Sequence, residues 1–60
     1  MLSILICDDD ANMIVAMQST TESVLKEANV KAKILTFLDA ATISEQILSN
    51  CDIALLDIDF

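Results

Sequence analysis

"LSILICDDDAN", residues 2–12, is the stretch on which the fold turns: a nearly unbroken apolar run that closes in three consecutive aspartates. Residues 2–7 have the length and isoleucine content of a buried strand. The acids that follow pose an electrostatic problem. Two unit charges about 4 Å apart repel by ~1 kcal/mol in water and ~4 kcal/mol at an effective dielectric of 20. Asp8, Asp9 and Asp10 must therefore point apart, or something must offset their repulsion.

Downstream of the aspartates, Ile14, Met17, Thr21, Val24 or Leu25, and Ala28 recur at helical spacing over residues 11–28. Asp10 is placed to cap this helix, and Asn29 to take the left-handed position that ends it. "STTE" (19–22) imitates a capping box inside the stretch, but the unbroken apolar face predicts one helix, not two. "KAKILTF" (31–37) predicts a second strand whose Lys31 and Lys33 share one face, as on a guarded edge. "TISE" (42–45) predicts a capping box in which Thr42 caps and Glu45 reaches back. Its short helix carries an apolar stripe of Ile43, Ile47 and Leu48 and ends at Asn50. "DIALLDIDF" (52–60) holds a third strand, apolar on both faces from Ile53 to Leu56.

Strands alternating with helices predict a parallel sheet. Right-handed crossovers leave few arrangements. With the guarded second strand at an edge and the apolar third strand inside, the order is 2-1-3, with one helix on each face. The fold class is α/β, a flavodoxin-like β-α-β-α-β unit. In such a sheet, ligands bind outside the carboxyl ends of the strands where the connection reverses direction.

The chain has 60 residues, 55% of them hydrophobic, with no glycine and no proline. A 60-residue domain buries only about 60% of its unfolded surface, so the excess of apolar residues predicts that residues 1–60 are part of a larger domain. The net charge of −7, from three lysines and ten acids, argues against nucleic-acid binding by this segment. It suits a cation site or a basic partner. No apolar run reaches the ~18 residues of a membrane span, and no basic region precedes a signal-like segment, so the expected location is cytoplasmic. Cys7 and Cys51 form no CxxC pattern. They fall near opposite ends of neighbouring strands, roughly 16 Å apart at strand rise, and are expected to stay unpaired.

Asp8, Asp9 and Asp10 leave the carboxyl end of the first strand, and Asp57 and Asp59 lie at the same end of the third. Parallel neighbours stand ~4.8 Å apart, so these carboxylates converge. Hard oxygen donors around a crevice suit Mg²⁺, which takes a few carboxylates, retained waters and a phosphate. The plain alternative is a helix cap plus solvated turn acids. For Asp10 the cap is the better reading; for Asp8, Asp9 and Asp57 together the repulsion favours a site.

"ILICDDD" followed by a helix, then "IALLDIDF" at the spacing from Asp9 to Asp57, resembles the N-terminal half of a response-regulator receiver domain. The wording "CDDD" and "LLDIDF" is most similar to transcriptional regulators of the LytTR (AlgR/AgrA/LytR) type. The resemblance spans the whole sequence. It implies a flavodoxin-like fold of strand order 2-1-3-4-5 and a role in two-component signalling, as a phosphoryl acceptor in transcription regulation, not as an enzyme. It further implies that Asp57 accepts the phosphoryl group from a sensor histidine kinase. Asp9 would bind Mg²⁺ directly, Asp8 would help through water, and the Asp59 carbonyl would supply a main-chain ligand. The family's switch Ser/Thr and its Lys would fall beyond Phe60. "LLDIDF" also matches the DxD opening of haloacid-dehalogenase-type phosphatases, with Asp57 as nucleophile and Asp59 as acid/base, but that reading leaves Asp8 and Asp9 unexplained. A third reading is an unphosphorylated interaction module. In a receiver the third strand is central, which predicts self-association through its open edge. The simplest form is a two-fold, antiparallel pairing of third strands, with exchange of an element between copies as the second choice.

Overall fold

The computed structural model describes residues 1–56. Within them the order is β1 (Leu2–Cys7), α1 (Ala11–Glu27), β2 (Ala32–Phe37), a 3₁₀ turn (Ala40–Thr42), α2 (Glu45–Ser49) and β3 (Ile53–Leu56). The sheet is parallel throughout, in the order β2-β1-β3. The chain is therefore α/β with the 2-1-3 arrangement that its sequence predicts.

The central place of β1 follows from its composition. Ile4 and Ile6 point to one face and Leu5 and Cys7 to the other, and all four are buried. Ile4 and Ile6 pack with Ile14 of α1, joined by Leu2, Met17, Leu25, Ala32 and Ile34. Helix α1 thus lies over β1 and β2. The opposite face is covered as well, since Leu5 is 0% exposed. The right-handed rule for parallel crossovers puts the β2-to-β3 connection, residues 40–49, on that side. Ladder register is set from both ends: Leu2 pairs with Ala32 and Cys7 with Phe37 on one side, while Ile4 pairs with Ile53 and Cys7 with Leu56 on the other. Asp52 locks the start of β3, its Oδ2 accepting from the Ser3 N–H and its own N–H donating to the Ser3 carbonyl, both at 2.8 Å.

Both ends of α1 match their sequence signals. Asp10 is the N-cap, its Oδ1 accepting from the Asn12 N–H at 2.9 Å. The stretch "STTE" lies inside one continuous helix. At the far end Asn29 adopts φ 56°, the left-handed conformation that asparagine tolerates better than most residues. The Asn29 N–H donates to Lys26 O and the Val30 N–H to Leu25 O, which satisfies two of the last helical carbonyls.

The second helix starts differently from the "TISE" expectation. Its N-cap is Ser44, whose Oγ accepts from the Ile47 N–H at 3.1 Å. Thr42 closes the preceding 3₁₀ turn, with its hydroxyl donating to the Asp39 carbonyl at 2.6 Å. Asp39 caps that turn through the Ala41 N–H at 2.9 Å. Thr42 is thereby engaged before the helix begins. The third residue from the Ser44 cap is Ile47, which has no acceptor with which to complete a box. Ile43 and Ile47 are half-buried, but Leu48 is exposed, so the stripe is narrower than its three residues suggest. Asn50 is the C-cap, as its position implies.

Strand β3 pairs with β1 and stands at an edge among the described residues, with all four of its residues exposed. Cys7 aligns with Leu56, which leaves Cys51 before the strand at the other end of the sheet. That separation exceeds the roughly 7 Å between Cα atoms that a disulfide spans, and both thiols are free. No helix among the described residues is long and apolar enough to cross a membrane.

The revised cap gives a direct prediction. Ser44→Ala should lower stability by about 1 kcal/mol, the usual loss for a serine cap, while Glu45→Ala should change it by less than about 0.5 kcal/mol. Urea denaturation followed by circular dichroism checks this. The reverse ranking would restore the Thr42–Glu45 box.

Candidate functional site

The carboxyl end of β1 resolves the crowding of its three aspartates by sending them to different environments. Asp8 is 2% exposed, whereas Asp9 and Asp10 are exposed. Asp10 spends its carboxylate on the helix cap. Asp8 turns inward: its backbone N–H continues the ladder to the Phe37 carbonyl at 3.2 Å, and its Oδ1 accepts from the Asp10 N–H at 2.9 Å. The remaining oxygen, Oδ2, is buried and has no hydrogen-bond partner among the described residues.

An orphaned carboxylate oxygen in a protein interior is uncommon. Leaving a buried polar group unsatisfied costs about 1–3 kcal/mol, and more when it is charged. Asp8 also lies on a cleft of about 500 Å³ whose other walls are Met13, Met17, Ala54, Leu55 and Leu56. It is the sole ionisable side chain on those walls among the described residues. Its unused oxygen is therefore the one strong acceptor in apolar surroundings.

Cys7 reports the field at this end of the sheet. Burial raises its thiol pKa above the ordinary value of 9.0, and the carboxylates of Asp39, Asp8 and Asp9 push it further in the same direction. Three acids from two loops thus bear on one buried sulfur. Asp39 is the member that sequence reasoning missed as part of this cluster. Its signal was available: it follows β2, the neighbour of β1, at the same end of the sheet.

Of the residues expected to hold a cation, the structure sets Asp8 and Asp9 at the carboxyl end of the central strand. Asp57 and Asp59, the expected phosphoryl acceptor and main-chain ligand, lie outside the described residues. Among the described residues no group of three or more His, Cys, Asp or Glu side chains is close enough to hold a metal ion. The fit to Mg²⁺ rests instead on the donor chemistry. A buried, hard carboxylate oxygen with an unused lone pair and a second acid adjacent in the chain is the donor type that this cation takes. Neither the family models, the curated proteins nor the solved structures contain a match to this chain.

The environment of Cys7 makes its reactivity pH-dependent in a defined direction. The folded chain holds the Cys7 proton more tightly than the unfolded chain. The stability this contributes is fully present below the ordinary thiol pKa and is lost as pH rises through the raised value. Iodoacetamide should therefore alkylate half-exposed Cys51 well before Cys7, as read by peptide mass spectrometry. Stability should fall above about pH 9, and Cys7→Ala should flatten that fall relative to its own neutral-pH value. Equal alkylation of both thiols at neutral pH would contradict the buried, acid-flanked setting.

Proposed function

We propose that the carboxyl end of this sheet is a Mg²⁺-dependent phosphoryl-acceptor site of the receiver type. In this reading Asp57 is the acceptor, and Asp8, Asp9 and the Asp59 main-chain carbonyl hold the cation. The observation that carries it is the unpartnered, buried Oδ2 of Asp8 at the end of the central strand. That end is also where the order 2-1-3 reverses direction, the usual place for a ligand in an open α/β sheet.

The chain's own groups divide the work. The Asp10 N–H fixes one Asp8 oxygen and so aims the other. Asp9, exposed beside it, offers a carboxylate from solvent. Among the described residues the last pair of this ladder sets Cys7 opposite Leu56, and the next residues in sequence are Asp8 and Asp57. A divalent cation, when bound, neutralises the charge that otherwise keeps an attacking carboxylate away from phosphoryl oxygens. In the transfer, a carboxylate oxygen of Asp57 forms the new bond to phosphorus as the bond to a phosphohistidine nitrogen of a sensor kinase breaks. The imidazole leaves with that electron pair. The acyl phosphate adds charge and acceptor oxygens, which suits a signalling surface.

Thermal melting with and without Mg²⁺ tests the reading. At a concentration of 100 Kd the cation should add about 2.7 kcal/mol of stability, and Asp9→Asn should remove most of that gain. Asp8→Asn should be at least as stable as the parent in EDTA, since it relieves a buried unpartnered charge, yet it should respond weakly to Mg²⁺. Acetyl phosphate should label these 60 residues poorly, adding a phosphoryl group by intact mass only in part of the sample, only with Mg²⁺ and not in Asp57→Asn. An unchanged Mg²⁺ response in Asp9→Asn, or labelling that survives Asp57→Asn, would overturn the assignment.

A further inference from the structure

The two edges of the sheet are built differently. Among the described residues β2 pairs with β1 alone, so one row of its N–H and C=O groups faces outward. Its side chains alternate between the faces. Ala32 and Ile34 turn toward α1 and pack against the core there. Lys33 stands exposed on the opposite face, and Lys31 stands exposed just before the strand. On the α1 side this edge adjoins a hollow of about 520 Å³ lined by Leu25, Val30, Ala32 and Ile34, with Lys26 and Lys31 also on its walls.

Lys26, Lys31 and Lys33 are the whole cationic complement of the chain, and they gather at this one corner. Among the described residues none of them has an ion-pair partner, although the chain carries ten acids. Glu22, the acid that shares the hollow's walls, accepts instead from the Gln18 side-chain amide at 3.3 Å. Asp8, where the run of three aspartates begins, is five residues along from Ser3, the β1 partner of Lys33. That is roughly 16 Å at strand rise, twice the Debye length of about 8 Å at physiological ionic strength. The net charge of −7 is therefore not the charge that a partner meets at β2.

We infer that the outer edge of β2 takes an extended acidic segment of another protein as an added strand, with apolar side chains alternating with carboxylates. Strand addition satisfies the outward backbone groups, and every second side chain reads one face of the sheet. The apolar set enters the hollow beside Ala32 and Ile34, and the acidic set lies beside Lys31 and Lys33. A second copy of β2 is the poorer occupant, since a two-fold pairing of β2 with β2 sets lysines against lysines. Further strands of a larger domain suit the other edge, where all four residues of β3 are apolar and exposed. Laid over β2, apolar elements of the same domain would bury lysines that have no partner. The inference stands apart from the cation reading, because every contact it needs lies along β2 and the end of α1.

The test uses the full chain in EDTA with two short synthetic peptides, one alternating Val with Glu and the other alternating Val with Lys. The Glu peptide should bind at least tenfold more tightly by fluorescence anisotropy, and high salt should erase that preference. It should shift the backbone amide signals of residues 31–37 and slow hydrogen exchange at the outward N–H groups of β2. Lys31→Glu and Lys33→Glu, both at exposed positions, should each weaken binding tenfold or more. Ile53→Lys, at the other edge, should leave it unchanged. Absence of binding up to millimolar peptide would overturn the inference, as would equal binding of both peptides or undiminished binding in Lys33→Glu. Amide shifts centred on residues 53–56 would place the peptide on the β3 edge and overturn it as well.

Discussion

The structure depends on one strand that is buried on both faces and ends in a buried carboxylate. β1 supplies the floor for α1 through Ile4 and Ile6 and the opposite core through Leu5 and Cys7. It also carries the ladders to both neighbours. A strand in that position cannot extend into solvent gradually. It stops at Asp8, whose side chain is still inside while its backbone begins the turn into α1. The same turn is held by Asp8 accepting from Asp10 and by Asp10 accepting from Asn12. Two carboxylates, on either side of Asp9, thus build the strand-to-helix corner, and one oxygen of Asp8 is left over.

That leftover oxygen connects fold to chemistry. Burial strengthens every electrostatic interaction it makes and also penalises leaving it without a partner. An apolar residue at position 8 would carry no such penalty, although it would leave the Asp10 N–H without its acceptor. An aspartate there is a local conflict, and conflicts of this kind concentrate at functional sites. Burial first, and then the charges of Asp39, Asp8 and Asp9, favour the protonated Cys7 thiol, so the sulfur beside the site is chemically quiet.

Much of the fold was legible because apolar periodicity and cap residues agree. The run Leu2–Cys7, the stripe from Ile14 to Leu25 and the Asp10 and Asn29 ends all describe the elements observed. The lysines at the start of the second strand marked it as an edge. The second helix was misjudged at its start because Thr42 and Ser44 are both good caps. The choice between them was made by Asp39, which drew Thr42 into a 3₁₀ turn. For the site, charge repulsion in "DDD" pointed to divergent roles, and Asp10 as a cap followed from position alone. That Asp8 and not Asp9 is the buried member depends on which way the strand faces at its last residue. Asp39 was not connected to the cluster, although its place after the neighbouring strand was sufficient to suggest it.

The account's central claim is that the unpaired oxygen of Asp8 marks a cation site at the carboxyl end of the sheet. Paramagnetic broadening of backbone amide signals by substoichiometric Mn²⁺, reversed by excess Mg²⁺, tests it most directly. Broadening should centre on Cys7–Asp10 and reach Leu38–Asp39 and Leu56, while Lys26–Lys33 at the opposite end stay sharp. Broadening centred on Glu22 and Glu27, or none that Mg²⁺ reverses, would contradict it.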